Sequence, residues 1–454
     1  MLLKPRFVVA VCGLCVSVQS LAQTGISQAE PIAGPTNIDL ADTERAYAAE
    51  LTRDASTRTS FLADGGGAGF SNGKFGIWDA DKNNTLNIGG SAQFRYSADF
   101  RDDDVNDQDG DGEADEDVNE DFTSGFSVRR ARMKLSGSVW NKALTYAIQL
   151  DTTRSTGDVT LLEAYGQYAW SNGVIARWGQ YKLPFLREQI VSATHELTTD
   201  FSPSHDVFSL NYSQAVGVGY AGETFRIVAD VSDGSRNLNT DFNSNAEADF
   251  AITSRAEWMW AGDNFKRFDD FTSFRSQDFT GMLGVAAHYQ MGGETGGLDA
   301  TGAPDGTNSR DLFAATVDAS FEGSGWNAFV AGYYRNDDND EVAESDDFSD
   351  FGILVQGGYF FTDQVEGFAR YDVVLMDGDR SVAPDGDDSF HSVAGGFNYY
   401  ISPESHALKF SAQVNYFFNP TTDVEIVSTS TSIPLLRDGE EGQVSAILQM
   451  QIMF

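Results

Sequence analysis

From residue 86 to the C-terminus, apolar and polar positions alternate with a period of two. In the first such stretch Leu86, Ile88, Gly90, Ala92, Phe94, Tyr96 and Ala98 fall on one side, and Asn87, Gly89, Ser91, Gln93, Arg95, Ser97 and Asp99 on the other. Successive strand side chains point to opposite faces, so each stretch predicts a strand with one apolar and one polar face. About sixteen such stretches follow one another, from 86–99 and 125–139 to 406–418 and 442–454, and most reach the ~9–11 residues that a tilted strand needs to cross a bilayer.

The connections alternate too. Long segments, such as 100–124, 183–212 and 419–441, take turns with brief ones, such as 140–142, 171–173 and 323–324; only 261–278 is long where a brief one is due. Long outer loops, short inner turns and both chain ends on one side describe a closed antiparallel transmembrane β-barrel, where the apolar face meets lipid and the polar face a lumen. Trp140, Trp170, Trp258, Trp260, Trp326, Phe361, Tyr400 and Phe454 then fall at the short-turn ends of their strands, as an interfacial girdle would. The last strand places Val444, Ala446, Leu448, Met450, Ile452 and Phe454 on one face. A terminal Phe closing such a strand resembles the signal read by the barrel assembly machinery.

Residues before 86 lack this period. Lys4 and Arg6, the apolar Phe7–Val18 run and Ser20-Leu21-Ala22 read as a secretory signal peptide over residues 1–22, cut near Ala22. Residues 23–85 read as a periplasmic extension, partly helical over 37–62 and broken by Gly65-Gly66-Gly67. The barrel domain is expected over 86–454.

Composition agrees: 45 Gly and 12% aromatics with only 10 Pro suit many strands joined by tight turns. Both cysteines, Cys12 and Cys15, lie in the signal segment, which leaves no mature thiol for a disulfide or metal. A net charge of −38 is the wrong sign for a nucleic-acid partner. Most of that charge lies in three outer loops, 99–121, 337–350 and 377–388. Asp107, Asp109 and Asp111 with Gly112 resemble the start of a calcium loop, but Val118 stands where its bidentate Glu belongs, so the pattern allows weak divalent binding at most.

Two stretches carry a family likeness. Gly125-Phe-Ser-Val-Arg-Arg-Ala-Arg-Met-Lys-Leu-Ser-Gly137 and Trp178-Gly-Gln-Tyr-Lys-Leu-Pro-Phe185, followed by Glu188, resemble motifs of the phosphate-selective porin O and P family; Phe368-Ala-Arg-Tyr-Asp372 is a weaker third. The resemblance spans roughly 86–454. It implies an outer-membrane porin of a Gram-negative bacterium, usually a homotrimer, with a water-filled basic pore that passes phosphate or other small anions, and no cofactor.

Alternation turns Arg130, Arg132 and Lys134 inward, while Phe126 and Val128 break parity, which points to a bulge near Arg129. Arg95, Arg177, Arg226, Arg255, Arg370 and Lys409 are inward as well. Arginine forks suit phosphate oxygens, so these nine form a candidate anion path. The competing reading pairs them with inward acids such as Asp151, Glu163, Asp230, Glu257, Glu366 and Asp372. The loop after the fifth strand, turned by Pro184, is expected to fold into the pore, making Arg187, Glu188, His195, Glu196 and His205 candidates for a constriction.

Two other classes compete with a channel. A barrel protease or phospholipase needs a nucleophile or activated water beside a His and an acid, and the five histidines sit in no recognisable motif. A structural or adhesive barrel needs a closed lumen, against which the inward Gly, Ser, Gln and Asn argue.

Overall fold

A computed structural model describes residues 65–71, 74–101, 122–152, 156–242, 244, 247–292, 311–338, 348–378, 388–402, 404–421, 430 and 432–454. The signal peptide, the helical leader, the candidate calcium residues Asp107, Asp109 and Asp111, and most of the acidic loop stretches lie outside them.

The strands are β1 (Gly67–Ser71), β2 (Lys74–Trp78), β3 (Thr85–Phe100), β4 (Phe122–Val139), β5 (Asn141–Thr152), β6 (Val159–Ala169), β7 (Val174–Lys182), β8 (Tyr212–Ala221), β9 (Phe225–Ser232), β10 (Phe250–Ala261), β11 (Thr280–Met291), β12 (Asp311–Gly323), β13 (Trp326–Asp338), β14 (Phe348–Phe360), β15 (Val365–Leu375), β16 (Ser389–Tyr400), β17 (Leu408–Phe417) and β18 (Val444–Met453). From β3 onward each pairs antiparallel with the next, and β18 returns to β3 from Val444↔Phe100 to Met453↔Ser91. The result is a closed barrel of sixteen strands. The expected strands match within about three residues at either end. No helix of the described residues is long and apolar enough to cross a membrane.

Strand formation begins earlier than residue 86. β1 and β2 form a hairpin, and β2 pairs with Thr85–Ile88 of β3, the part that β18 does not reach. Exposure confirms which face meets lipid: Phe94, Phe126, Met133, Val218, Val317, Ile353, Leu448 and Ile452 are exposed outside, while their neighbours Gln93, Arg95 and Gln449 are buried inside. Most of the expected girdle is exposed at the short-turn end, including Trp140, Trp170, Trp258 and Phe361. Tyr400 is the exception. It is fully buried and donates its hydroxyl to Glu366 inside the barrel, at 2.7 Å, because Tyr399 takes the outward parity on β16.

The interior is filled on one side. Inward Phe329, Leu354, Phe368, Phe390 and Phe417 from β13–β17 form a dry cluster with Leu183, Leu186, Leu197, Val207 and Phe208 of the segment after β7. The seam is tight at the C-terminus. Gly90 exchanges both backbone hydrogen bonds with Phe454, at 2.7 and 3.0 Å. A Cβ at residue 90 would meet the Phe454 ring at 2.7 Å and the Arg132 carbonyl at 2.8 Å. Gly90→Leu should therefore loosen the closure, and the folded band on an unboiled gel should convert to the unfolded one at a lower temperature than wild type. An unchanged conversion temperature would mean that the seam does not limit stability.

Candidate functional site

Residues 183–211 leave the end of β7 and cross the barrel interior. Gly179, at φ +120°, and Pro184 break the strand direction, and the apolar residues from Leu183 to Leu210 give the segment a face to bury. Two short helices, Arg187–Ile190 and Pro203–Phe208, shape it. Ser202 caps the second, accepting from the His205 N–H at 3.0 Å with Pro203 in the first turn. Glu188 ties the helices together, since its carboxylate accepts from the Ser202 N–H and hydroxyl, each at 2.7 Å.

Wall cations hold this segment by its backbone oxygens. Arg255 donates to the Phe185 carbonyl at 2.9 Å, Lys409 to Glu196 at 3.0 Å and Arg370 to Asp200 at 2.9 Å. Lys182 donates to the carbonyls of Gln189 and Val191. Asp200 is the hub. Its carboxylate meets Arg95 at 2.9 Å, Arg129 at 2.5 Å and Arg130 at 2.8 Å. The register of β3 on β4 slips between Gln93 and Phe94, so Arg129 is the bulged residue, and the bulge brings two consecutive arginines to one acid. Burial alone would raise the Asp200 carboxyl, but the three guanidiniums outweigh it and hold it well below the ordinary carboxylate range.

The long connection after β10 enters from the opposite end and meets the first. Arg187 donates to the Phe268 carbonyl and the Phe271 N–H to the His195 carbonyl. His195 packs on His406 with ring centroids 4.6 Å apart. Burial pushes His195 down to about 3 and lowers His406 as well. Glu196 is buried, and neither of its carboxylate oxygens has a partner among the described residues.

The basic candidates divide into two groups. Arg95, Arg130, Arg255, Arg370 and Lys409 are at most 3% exposed. Arg255 pairs with Glu257 and Asp318, each at 2.8 Å, and Arg370 faces Glu188 at 3.5 Å. The side chains of Lys134, Arg226 and Arg132 are 38%, 31% and 18% exposed, although they pair with Glu163, Glu257 and Asp151. Arg177 is half-buried on Gln167 and two tyrosines. The exposed group lies on β4, β7 and β9, opposite the dry cluster. There a cavity of about 900 Å³ is lined by Lys74, Arg132, Lys134, Arg226, Lys266 and Arg267 against Asp269, Asp270 and Glu404. A second of about 350 Å³ shares Ile190 and Arg226 with it and lies against β6–β10. Arg187, Glu188, His195 and Glu196 are brought together on the inserted segment, and His205 bonds Gln189. The roles of Arg129 and Asp200 are absent from the sequence reading; the broken parity before Arg129 was their one signal.

A closed lipid-faced barrel with an inserted loop and a polar passage along one wall defines an outer-membrane porin. The chain belongs to the phosphate-selective porin O and P family, whose sequence profile matches residues 102–426. Among solved structures it is similar to the outer-membrane expressed OmpT of Vibrio cholerae, with 14% identity, TM-score 0.50, and 82% of this chain and 98% of that one covered. It is also similar to the anion-selective porin from Comamonas acidovorans, with 11% identity, TM-score 0.50, and coverage of 81% and 99%. These likenesses concern the fold. The comparison with curated proteins found no match.

Two outcomes follow from the inserted segment. Asp200→Asn leaves the buried guanidiniums of Arg95 and Arg130, and the half-buried one of Arg129, without the counter-charge they share, which should cost about 3–5 kcal/mol. A lower melting temperature and a larger single-channel conductance are expected; no change in either would remove Asp200 as the anchor. The histidine pair predicts acid sensitivity. Lowered folded-state values mean that its contribution is complete above the ordinary histidine value of 6.5 and is lost as pH falls toward about 3. Open-channel noise should rise between pH 7 and pH 4, and a His406→Gln variant should show a smaller rise.

Proposed function

We propose that the porin passes small anions, phosphate among them, along the wall formed by β4–β9, with Arg132, Lys134, Arg177 and Arg226 beside the path. The observation that carries this reading is a difference in burial: Arg132, Lys134, Arg177 and Arg226 line open volume on β4, β7 and β9, whereas Arg95, Arg130, Arg370 and Lys409 are buried against the inserted segment. Arg95, Arg130, Arg255, Arg370 and Lys409 act mainly as struts, and Arg187, Glu188, His195 and Glu196 belong to the constriction they support. The family membership supports a homotrimer inserted by the assembly machinery through Phe454, secreted with cleavage near Ala22, its long loops outside. It also supports passive transport rather than catalysis.

The acidic loops do not reverse this preference. Exposed charges are screened beyond about 8 Å at physiological salt, while cations beside a narrow, partly dehydrated path are screened less. Reversal potential under a salt gradient tests the reading. Wild type should prefer chloride over potassium, phosphate should compete with chloride, and Arg132→Gln with Lys134→Gln should move the preference toward cations. Arg130→Ala should act through loop stability instead, raising conductance. Cation preference in the wild type would overturn the proposal.

A further inference from the structure

The smaller cavity holds groups that a simple inorganic anion leaves unused. Arg177 is fixed there as a flat fork. Gln167 Oε1 accepts from its Nε at 3.0 Å and its Nη2 at 2.8 Å, and the guanidinium lies 5.1 Å from the Tyr165 ring and 5.0 Å from the Tyr181 ring. No ion pair to Arg177 is present among the described residues, whereas Lys134, Arg132 and Arg226 each have one and Arg255 has two. Its charge is held in place where Asp230 of the same cavity feels it, with no bidentate carboxylate partner among the described residues.

Two further lining groups are paired only with each other. The Tyr181 hydroxyl and the Asp230 carboxylate face each other there and bond to each other, and neither the hydroxyl nor Asp230 Oδ1 has a further hydrogen-bond partner among the described residues, although Tyr181 is 1% and Asp230 2% exposed. A buried carboxylate has room for more than one donor, so a pair that shares one bond on a cavity wall can still bond a hydroxyl brought to it. Gly217 makes room: a Cβ there would collide with Asp230 Oδ1 and come within 3.2 Å of the Tyr181 hydroxyl. Ile175, Pro184 and Ile190 supply apolar surface on the same cavity, whose volume of about 350 Å³ is that of a site for a small organic molecule.

We propose that this cavity is a selective binding site for small aromatic hydroxy-carboxylates. The carboxylate meets Arg177, the ring lies against Tyr165 and the isoleucines, and the hydroxyl donates to Asp230 beside the Tyr181 hydroxyl. The inference rests on the channel reading above and adds to it a solute class with an apolar body. A site that offers a buried carboxylate to a hydroxyl discriminates against the analogue without it, because that analogue leaves the acceptor one bond short.

The test uses the full-length porin in planar bilayers, with 4-hydroxybenzoate, benzoate and phosphate added in turn and the half-blocking concentration of chloride current read for each. 4-Hydroxybenzoate should block at a concentration about tenfold or more below benzoate, a difference of about 1.4 kcal/mol. Arg177→Gln should raise the half-blocking concentration of both aromatic acids by a similar factor. Asp230→Ala should erase the difference between them, and Tyr165→Leu should weaken both while sparing phosphate block. Heat-modified gel mobility shows that each variant is folded. Equal block by the two aromatic acids in the wild type, or no change in Arg177→Gln or in Asp230→Ala, overturns the site. The anion-channel reading fails separately, on reversal potential, whatever the aromatic acids do.

Discussion

Lipid offers no hydrogen bonds, so a chain that enters it must pair every backbone N–H and C=O within itself. For strands that means closure, and the rest of this structure follows from the return of β18 to β3. Closure dictates the alternation along each strand, because one face must suit acyl chains and the other the enclosed space. It also creates that space, which the protein then largely fills. Segments from both ends of the barrel occupy the lumen and meet at Arg187 and His195.

The filling explains what the arginines do. A wall cation facing an empty pore would be solvated and free, but here the inserted segment brings its carbonyls and one carboxylate to the wall. Asp200 gathers three guanidiniums, and the carbonyls of Phe185, Glu196 and Asp200 take up three more basic side chains. The same residue type is therefore buried as a strut where the inserted segment reaches it and partly exposed to open volume where it does not. The difference is made by where the inserted segment lies: its apolar face packs on β13–β17, and its Asp200 reaches Arg95 and Arg130.

The fold was legible because its signal is long and repeated. Alternation across sixteen strands survives local exceptions, and even the bulge at Arg129 showed as broken parity at Phe126 and Val128. The hairpin of β1 and β2 was not legible: its strands have five residues each, and the triple glycine beside it reads as a breaker. Parity gave the inward side of each basic residue but not its partner, since the partner comes from a segment distant in sequence. A clue to the filled lumen was present. Ile353-Leu354-Val355, Val373-Val374 and Phe417-Phe418 are consecutive apolar residues inside or beside strands, and such runs mean that both faces are buried.

The first hairpin has one more consequence. β3 is longer than the strand that closes on it, so without β2 the stretch Thr85–Ile88 would carry a row of unpaired backbone groups at the short-turn rim. Bare strand edges recruit other chains, a second copy of the same strand among them. By laying residues 74–78 along that stretch, the chain occupies with its own backbone the position where a neighbour's strand could add.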